Sequence, residues 1–218
     1  MEPAGLKITG EGGVNLTQDP GTGHIQTLVD GVFAIAVTLL VLELIPSGFQ
    51  EDLFRELVTM WPKFYAYLMG FLVLAIFWAL HHSVFRYIRR SDEILLWLNI
   101  LFLMFVALVP FSTAVLGQRI SSRIAVVLYG GNMLVVSLSL SGIWWYATWR
   151  HRLVSRDISP GLVRYRRIAF LVVSSGFALG SGLAFAWPPL ALGLFSLMAL
   201  FYIASRVILY RHWGTEQS

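Results

Sequence analysis

The sequence predicts an all-α fold, a polytopic membrane protein with six transmembrane helices, and three observations carry the prediction. Hydrophobic residues fill 57% of the 218 positions and charged residues 13%, with a mean hydropathy of +0.71, whereas a soluble domain carries about a quarter charged residues. The apolar residues gather into six blocks of spanning length, a crossing helix needing about 20 of them. The lysines and arginines fall in the short links between blocks, where they set topology. Those links account for the formal charge of +4 and the pI near 9.6, so no nucleic-acid partner is expected. With no cysteine in the chain, disulfides and thiolate metal sites are excluded.

Residues 1–24 are Gly-rich and mildly acidic. They lack the basic and apolar regions of a signal peptide and are expected to form a flexible cytoplasmic tail. A membrane domain over residues 25–212 follows, then a second cytoplasmic tail over 213–218. The first block runs from Val29 to Ile45 and stops at Pro46-Ser47-Gly48. The polar link after it, with Glu51, Asp52, Arg55 and Glu56, suits an interfacial turn of helix. Trp61-Pro62 opens the second block, proline being suited to a first helical turn, and the block reaches Tyr87. Ser91 or Asp92 is expected to cap the third block, which passes an internal Pro110 and ends near Gly117. The fourth spans Ile124 to Trp149. The basic stretch from Arg150 to Arg167 reads as a loop, the fifth block ends at Trp187, and Pro188-Pro189 turns the chain into the sixth, which ends near Tyr210.

Twelve of the sixteen lysines and arginines fall on one side of this arrangement; Arg55, Lys63, Arg119 and Arg123 fall on the other. The positive-inside rule then puts both termini in the cytoplasm of a multi-pass cell-membrane protein.

The first block has two faces. On a helix advancing about 100° per residue, Ile35, Leu39 and Leu42 stack on one side, with Thr38 on its shoulder and Leu28 and Gly31 below. Asp30 points about 140° away from Ile35. A carboxylate inside the membrane faces protein or water, not lipid. Asp30 therefore reads as a polar anchor behind a column of branched aliphatics. Branched aliphatics also fill ordinary buried or lipid-facing helices, so periodicity alone leaves a pore lining and plain packing both open. No Thr-Val-Gly-Tyr-Gly filter is present, and if ions pass, an aliphatic constriction that closes by dewetting is the available device.

The remaining motifs read as packing or topology. His81-His82 is the one histidine pair, but adjacent helical residues diverge by about 100°, and no His-x-x-x-His completes a shell. Ser112 and Thr113 follow Pro110, where they can satisfy carbonyls freed by the proline; no Gly-x-Ser-x-Gly or acid–base constellation surrounds them, and no enzyme chemistry is expected. Gly176-Phe177-Ala178-Leu179-Gly180 permits close helix approach. Retention in the cytoplasm explains the basic run from Arg150 to Arg167, with an anionic-lipid site as the lesser reading.

Beyond Asp30, the run from Gly31 to Leu44, the segments Trp78-Ala79-Leu80-His81-His82 and Leu96-Trp97-Leu98-Asn99, and Val109-Pro110-Phe111-Ser112-Thr113 together resemble the first three helices of the transmembrane protein 175 family of lysosomal and bacterial potassium channels. That family opens its first helix with Arg-x-x-x-Phe-Ser-Asp. The matching positions here are His24, Leu28, Val29 and Asp30: the acid is kept, histidine stands for arginine, and Leu and Val replace Phe and Ser. The resemblance implies a homotetramer in the lipid bilayer around a central pore, with no cofactor beyond the permeating potassium ion. It implies that Ile35, Leu39 and Leu42 form the constriction, with Thr38 as the nearby hydroxyl. It further implies a polar network behind the pore, drawn from His24, Asp30, His81, His82 and Asn99. Glu43, about 80° off the column, is expected at the outer mouth. The alternative is a six-helix transporter or scaffold sharing the fold, although the inverted repeats and broken helices of transporters are not visible.

Overall fold

A computed structural model describes residues 20–45, 53–155 and 158–214, with the side chains of the last helix described as far as Ala204. The Pro46-Ser47-Gly48 stop, Glu51, Asp52, Arg156 and the terminal segments 1–19 and 215–218 lie outside the described residues. The elements are α1 (Pro20–Leu42), α2 (Leu53–Thr59), α3 (Trp61–Phe85), α4 (Glu93–Ala107), α5 (Val109–Gln118), α6 (Arg123–Thr148), α7 (Pro160–Ala186) and α8 (Pro188–Gly214).

Five helical stretches are long and apolar enough to cross a membrane, with α4 and α5 counted as one crossing from Glu93 to Gln118. The sixth expected block is α8, whose apolar part runs Pro188–Ala204. The all-α, polytopic fold class stands. Short α2 occupies the polar link, where an interfacial turn was expected.

Two boundaries differ from expectation. Helix α1 begins at Pro20, so it takes in the last residues assigned to the tail, and it ends at Leu42. Proline suits a helix start, and buried Thr22 and Ile25 continue downward the face made by Val29, Phe33, Ala36 and Leu40. Likewise α7 begins at Pro160, inside the basic stretch. Its early turns carry Arg164, Arg166 and Arg167 because a helix longer than the bilayer can project its basic end. Arg166 donates to Ser83 Oγ at 2.9 Å and lies over the rings of Tyr87 (4.9 Å) and Trp144 (5.3 Å), so its charge is held by aromatic faces.

Asp92 caps α4 as expected, its side chain accepting from the Leu95 N–H at 2.8 Å. Its other oxygen accepts from Tyr146 Oη at 2.6 Å, and Arg152 Nε lies 3.7 Å away. Backbone pairing of Arg89 N–H with the Leu153 carbonyl, 2.8 Å, ties the α3–α4 and α6–α7 links together. The two links richest in arginine therefore lie at one end of the bundle.

The core is centred on α6, which packs against α4, α5 and α7 and buries Tyr129, Met133, Leu140 and Trp144. Ser137 and Ser174 share a buried hydrogen bond of 2.8 Å between α6 and α7. At Gly180 an added Cβ would run into the Phe195 ring of α8. The Gly-x-x-x-Gly segment thus works as a packing surface, letting α7 and α8 approach. Ser112 Oγ donates to the Val109 carbonyl at 3.0 Å and accepts from Asn132 Nδ2 at 3.1 Å. Thr113 differs: its hydroxyl is buried without a partner.

Candidate functional site on the first helix

Helix α1 packs against α3, α4 and α5. Ile25, Val29, Phe33, Ala36 and Leu40 recur at three- and four-residue spacing on the packed face and are all nearly inaccessible, with Phe33 tilted against Phe102 of α4 at 6.0 Å. That face fixes the rotation of the helix and hence what its other sides present.

The column lies on an unpacked side. Ile35 is 61% exposed, Leu42 54% and Leu39 42%, and Leu28 and Gly31 continue the strip. Thr38 is exposed beside them, its hydroxyl donating to the Ile35 carbonyl at 2.8 Å. The hydroxyl is thereby satisfied within its own helix. Its oxygen keeps a free lone pair on the exposed side.

The expected network divides in two. Asp30 Oδ1 accepts from Trp78 Nε1 of α3 at 2.8 Å, and the Trp78 ring stacks on exposed His82 at 5.8 Å. His81 turns inward instead: it is 2% exposed, stacked between Phe85 (4.3 Å) and Phe102 (5.3 Å). Asn99 Nδ2 donates to the Leu95 carbonyl at 2.7 Å, which leaves Asn99 Oδ1 to accept from His81 Nε2 at 2.9 Å. His81 therefore carries a proton on Nε2. The adjacent histidines diverge, as the helical step requires, and serve different neighbours. Exposed His24 stands about 120° around the helix from Asp30 and about 9 Å below it, with no hydrogen bond or ion pair between them among the described residues.

Trp78 is the residue missed in reading the network. The sequence held half the signal, an indole N–H within a span requiring an acceptor, but not which acceptor, since that depends on how α1 and α3 are rotated against each other. Glu43 is half-buried and lines a small pocket with Lys63, Thr113 and Gln118. It faces α3 and α5.

The His81–Asn99 pair gives a stability prediction. Asn99→Leu leaves a buried imidazole N–H unpaired, at a cost of about 1–3 kcal/mol, so thermal unfolding in detergent should shift clearly downward. An unchanged transition would mean that water reaches His81.

The family described as the endosomal/lysosomal potassium channel TMEM175 matches residues 24–110. A potassium channel of Streptomyces collinus is 38% identical over 187 residues, covering 83% of this chain and 91% of that protein. A potassium channel of Chamaesiphon minutus is 34% identical over 150 residues, covering 66% of this chain and 74% of that protein. The crystal structure of a lysosomal potassium-selective channel TMEM175 homolog from Chamaesiphon minutus superposes with a TM-score of 0.77 at 28% identity, over 86% of this chain and 98% of that one.

Proposed function

The chain belongs to the TMEM175 family as a bacterial, multi-pass membrane member, and on that premise we propose that it is a potassium-permeable, potassium-selective channel gated by aliphatic side chains of α1. Four copies surround a central axis, with α1 of each innermost. Ile35 forms the narrowest ring, Leu39 and Leu42 add rings toward the outer face, and Thr38 supplies hydroxyl oxygens beside them. No P-loop filter takes part.

One observation carries this reading: α1 is packed into its subunit along one face while Ile35, Leu39 and Leu42 stand exposed on another. A ring of such side chains has no group to replace an ion's hydration shell and excludes water when closed. A small dilation or rotation of the four helices rewets it. The relatives named as potassium channels support the choice of ion. The transporter or scaffold alternative has no comparable support.

Purified protein in potassium-loaded liposomes should release potassium down its gradient, and more slowly release sodium. Vesicles that hold potassium as well as protein-free ones would remove the channel reading.

The twelve-to-four bias of basic residues supports cytoplasmic termini in the cell membrane. In intact cells an impermeant thiol reagent should label Ser121→Cys, between α5 and α6, and not Ser155→Cys, between α6 and α7. The reverse pattern overturns the orientation.

A further inference from the structure

At the outer end of α1, a partly open pocket of about 10 Å³ is lined by Leu40, Glu43, Lys63, Thr113, Gly117 and Gln118, among others. This is room for a single water. Two features of its lining, Glu43 and Lys63, have no role in the packing already described.

Glu43 follows directly on the C-terminus of α1, and Lys63 sits in the first turn of α3. Each charge is at the helix end whose dipole disfavours it. Neither has an ion-pair partner within 4 Å among the described residues. Lys63 is nevertheless held in place, since its backbone and stem lie so close to Gly117 that an added Cβ there would stand 3.2 Å from the Lys63 Cα and 3.7 Å from its Cγ. Thr113, 2% exposed, closes the inner side of the same lining. A carboxylate and an ammonium on residues around a water-sized space are satisfied together by one bridging water. The water accepts from the ammonium and donates to the carboxylate.

We propose that Glu43 and Lys63, joined through a water in this pocket, form a latch that fastens the outer end of α1 to α3 and α5 and thereby biases the pore toward its closed state. The inference rests on the channel reading and gives Glu43 a different part from concentrating cations at the mouth. A latch closes because the column can turn or spread only if the outer end of α1 is free to move relative to α3. Opposite charges at both helix ends supply the attraction. The Lys63–Gly117 contact fixes the anchor on the α3–α5 side.

The two roles for Glu43 predict opposite patterns. For a latch, Glu43→Gln and Lys63→Gln remove the same interaction, so each raises basal potassium flux in liposomes by on the order of fivefold, the low end of coupling between linked sites. The exchange Glu43→Lys with Lys63→Glu restores flux toward the wild-type value. For a mouth charge, Glu43→Gln lowers cation flux at low salt, Lys63→Gln raises it, and the exchange does not restore it. Opposite responses, or no response to either change, overturn the latch. If a single variant fails to assemble, the pairing is read instead from thermal unfolding of the exchanged double variant: recovery above both single variants supports it and additivity refutes it. Wild-type vesicles without flux remove the channel reading itself, an outcome distinct from conducting wild type with opposed variant responses.

Discussion

Ile35→Asn is expected to leave the pore conducting at rest. In the closed state the ring of Ile35 side chains offers neither charge nor hydrogen bond, so water leaves it and ions meet the cost of crossing a dry gap. Four amide groups in its place hold water. Each ~1.4 kcal/mol removed from the barrier multiplies the rate about tenfold, and a gain of at least that order in basal potassium flux is expected. Preference for potassium over sodium should fall together with it, because a wet ring no longer requires partial dehydration. Ile35→Ala widens the ring without wetting it as strongly and should fall between. Val41 is the control: it is 48% exposed but lies about 120° around the helix from Ile35, so Val41→Asn should change flux far less. Equal flux from Ile35→Asn and wild type would remove Ile35 from the constriction.

Asp30→Ala is expected to cost assembly more than it changes ion preference. The carboxylate lies about 12 Å along α1 from Thr22, well within the crossing, and its partner is the Trp78 indole at 2.8 Å. In hydrocarbon no water replaces that acceptor, and a hydrogen bond to a charged group contributes on the order of 2 kcal/mol per subunit. An exposed carboxylate at this depth also needs protein or water beside it, and in the proposed tetramer a neighbouring subunit would cover this flank. The variant should run at lower mass on size exclusion and unfold at lower temperature. Asp30→Asn keeps an oxygen for the indole N–H and should recover part of the loss. Wild-type assembly with altered selectivity would instead put Asp30 in the ion path.

What the sequence made legible was whatever depends on helical period and chain-local chemistry. The exposed alignment of Ile35, Leu39 and Leu42 follows from a step of about 100° and needs no tertiary information. Asp92 as a cap and the packing role of Gly180 are equally local, the first an oxygen reaching an N–H three residues on, the second a missing Cβ. The neighbours of Asp30 and Glu43 were not legible, because each depends on how α1, α3 and α5 are rotated against one another, whereas Asn99 beside His81 was among the expected network. Periodicity gives each helix a face but not its neighbour, so Asp30 was grouped with histidines when its contact is Trp78, and nothing in the first helix announced that Glu43 would line a pocket with Lys63. The start of α7 was hidden for a different reason. Arginines in its first turns look like loop, and the contacts that hold Arg166 among Tyr87, Trp144 and Ser83 depend on tertiary packing.

The most direct test of the central claim uses the absence of cysteine in the chain. With Ile35→Cys as the only thiol, four sulfurs should converge on the conduction path, and silver ion, similar in size to a dehydrated alkali cation, should abolish potassium flux in liposomes within the reagent's mixing time. Val41→Cys should be unaffected. Unimpeded flux through Ile35→Cys in the presence of silver, with block at Val41→Cys, would show that the pore runs along a different face of α1 and contradict the account.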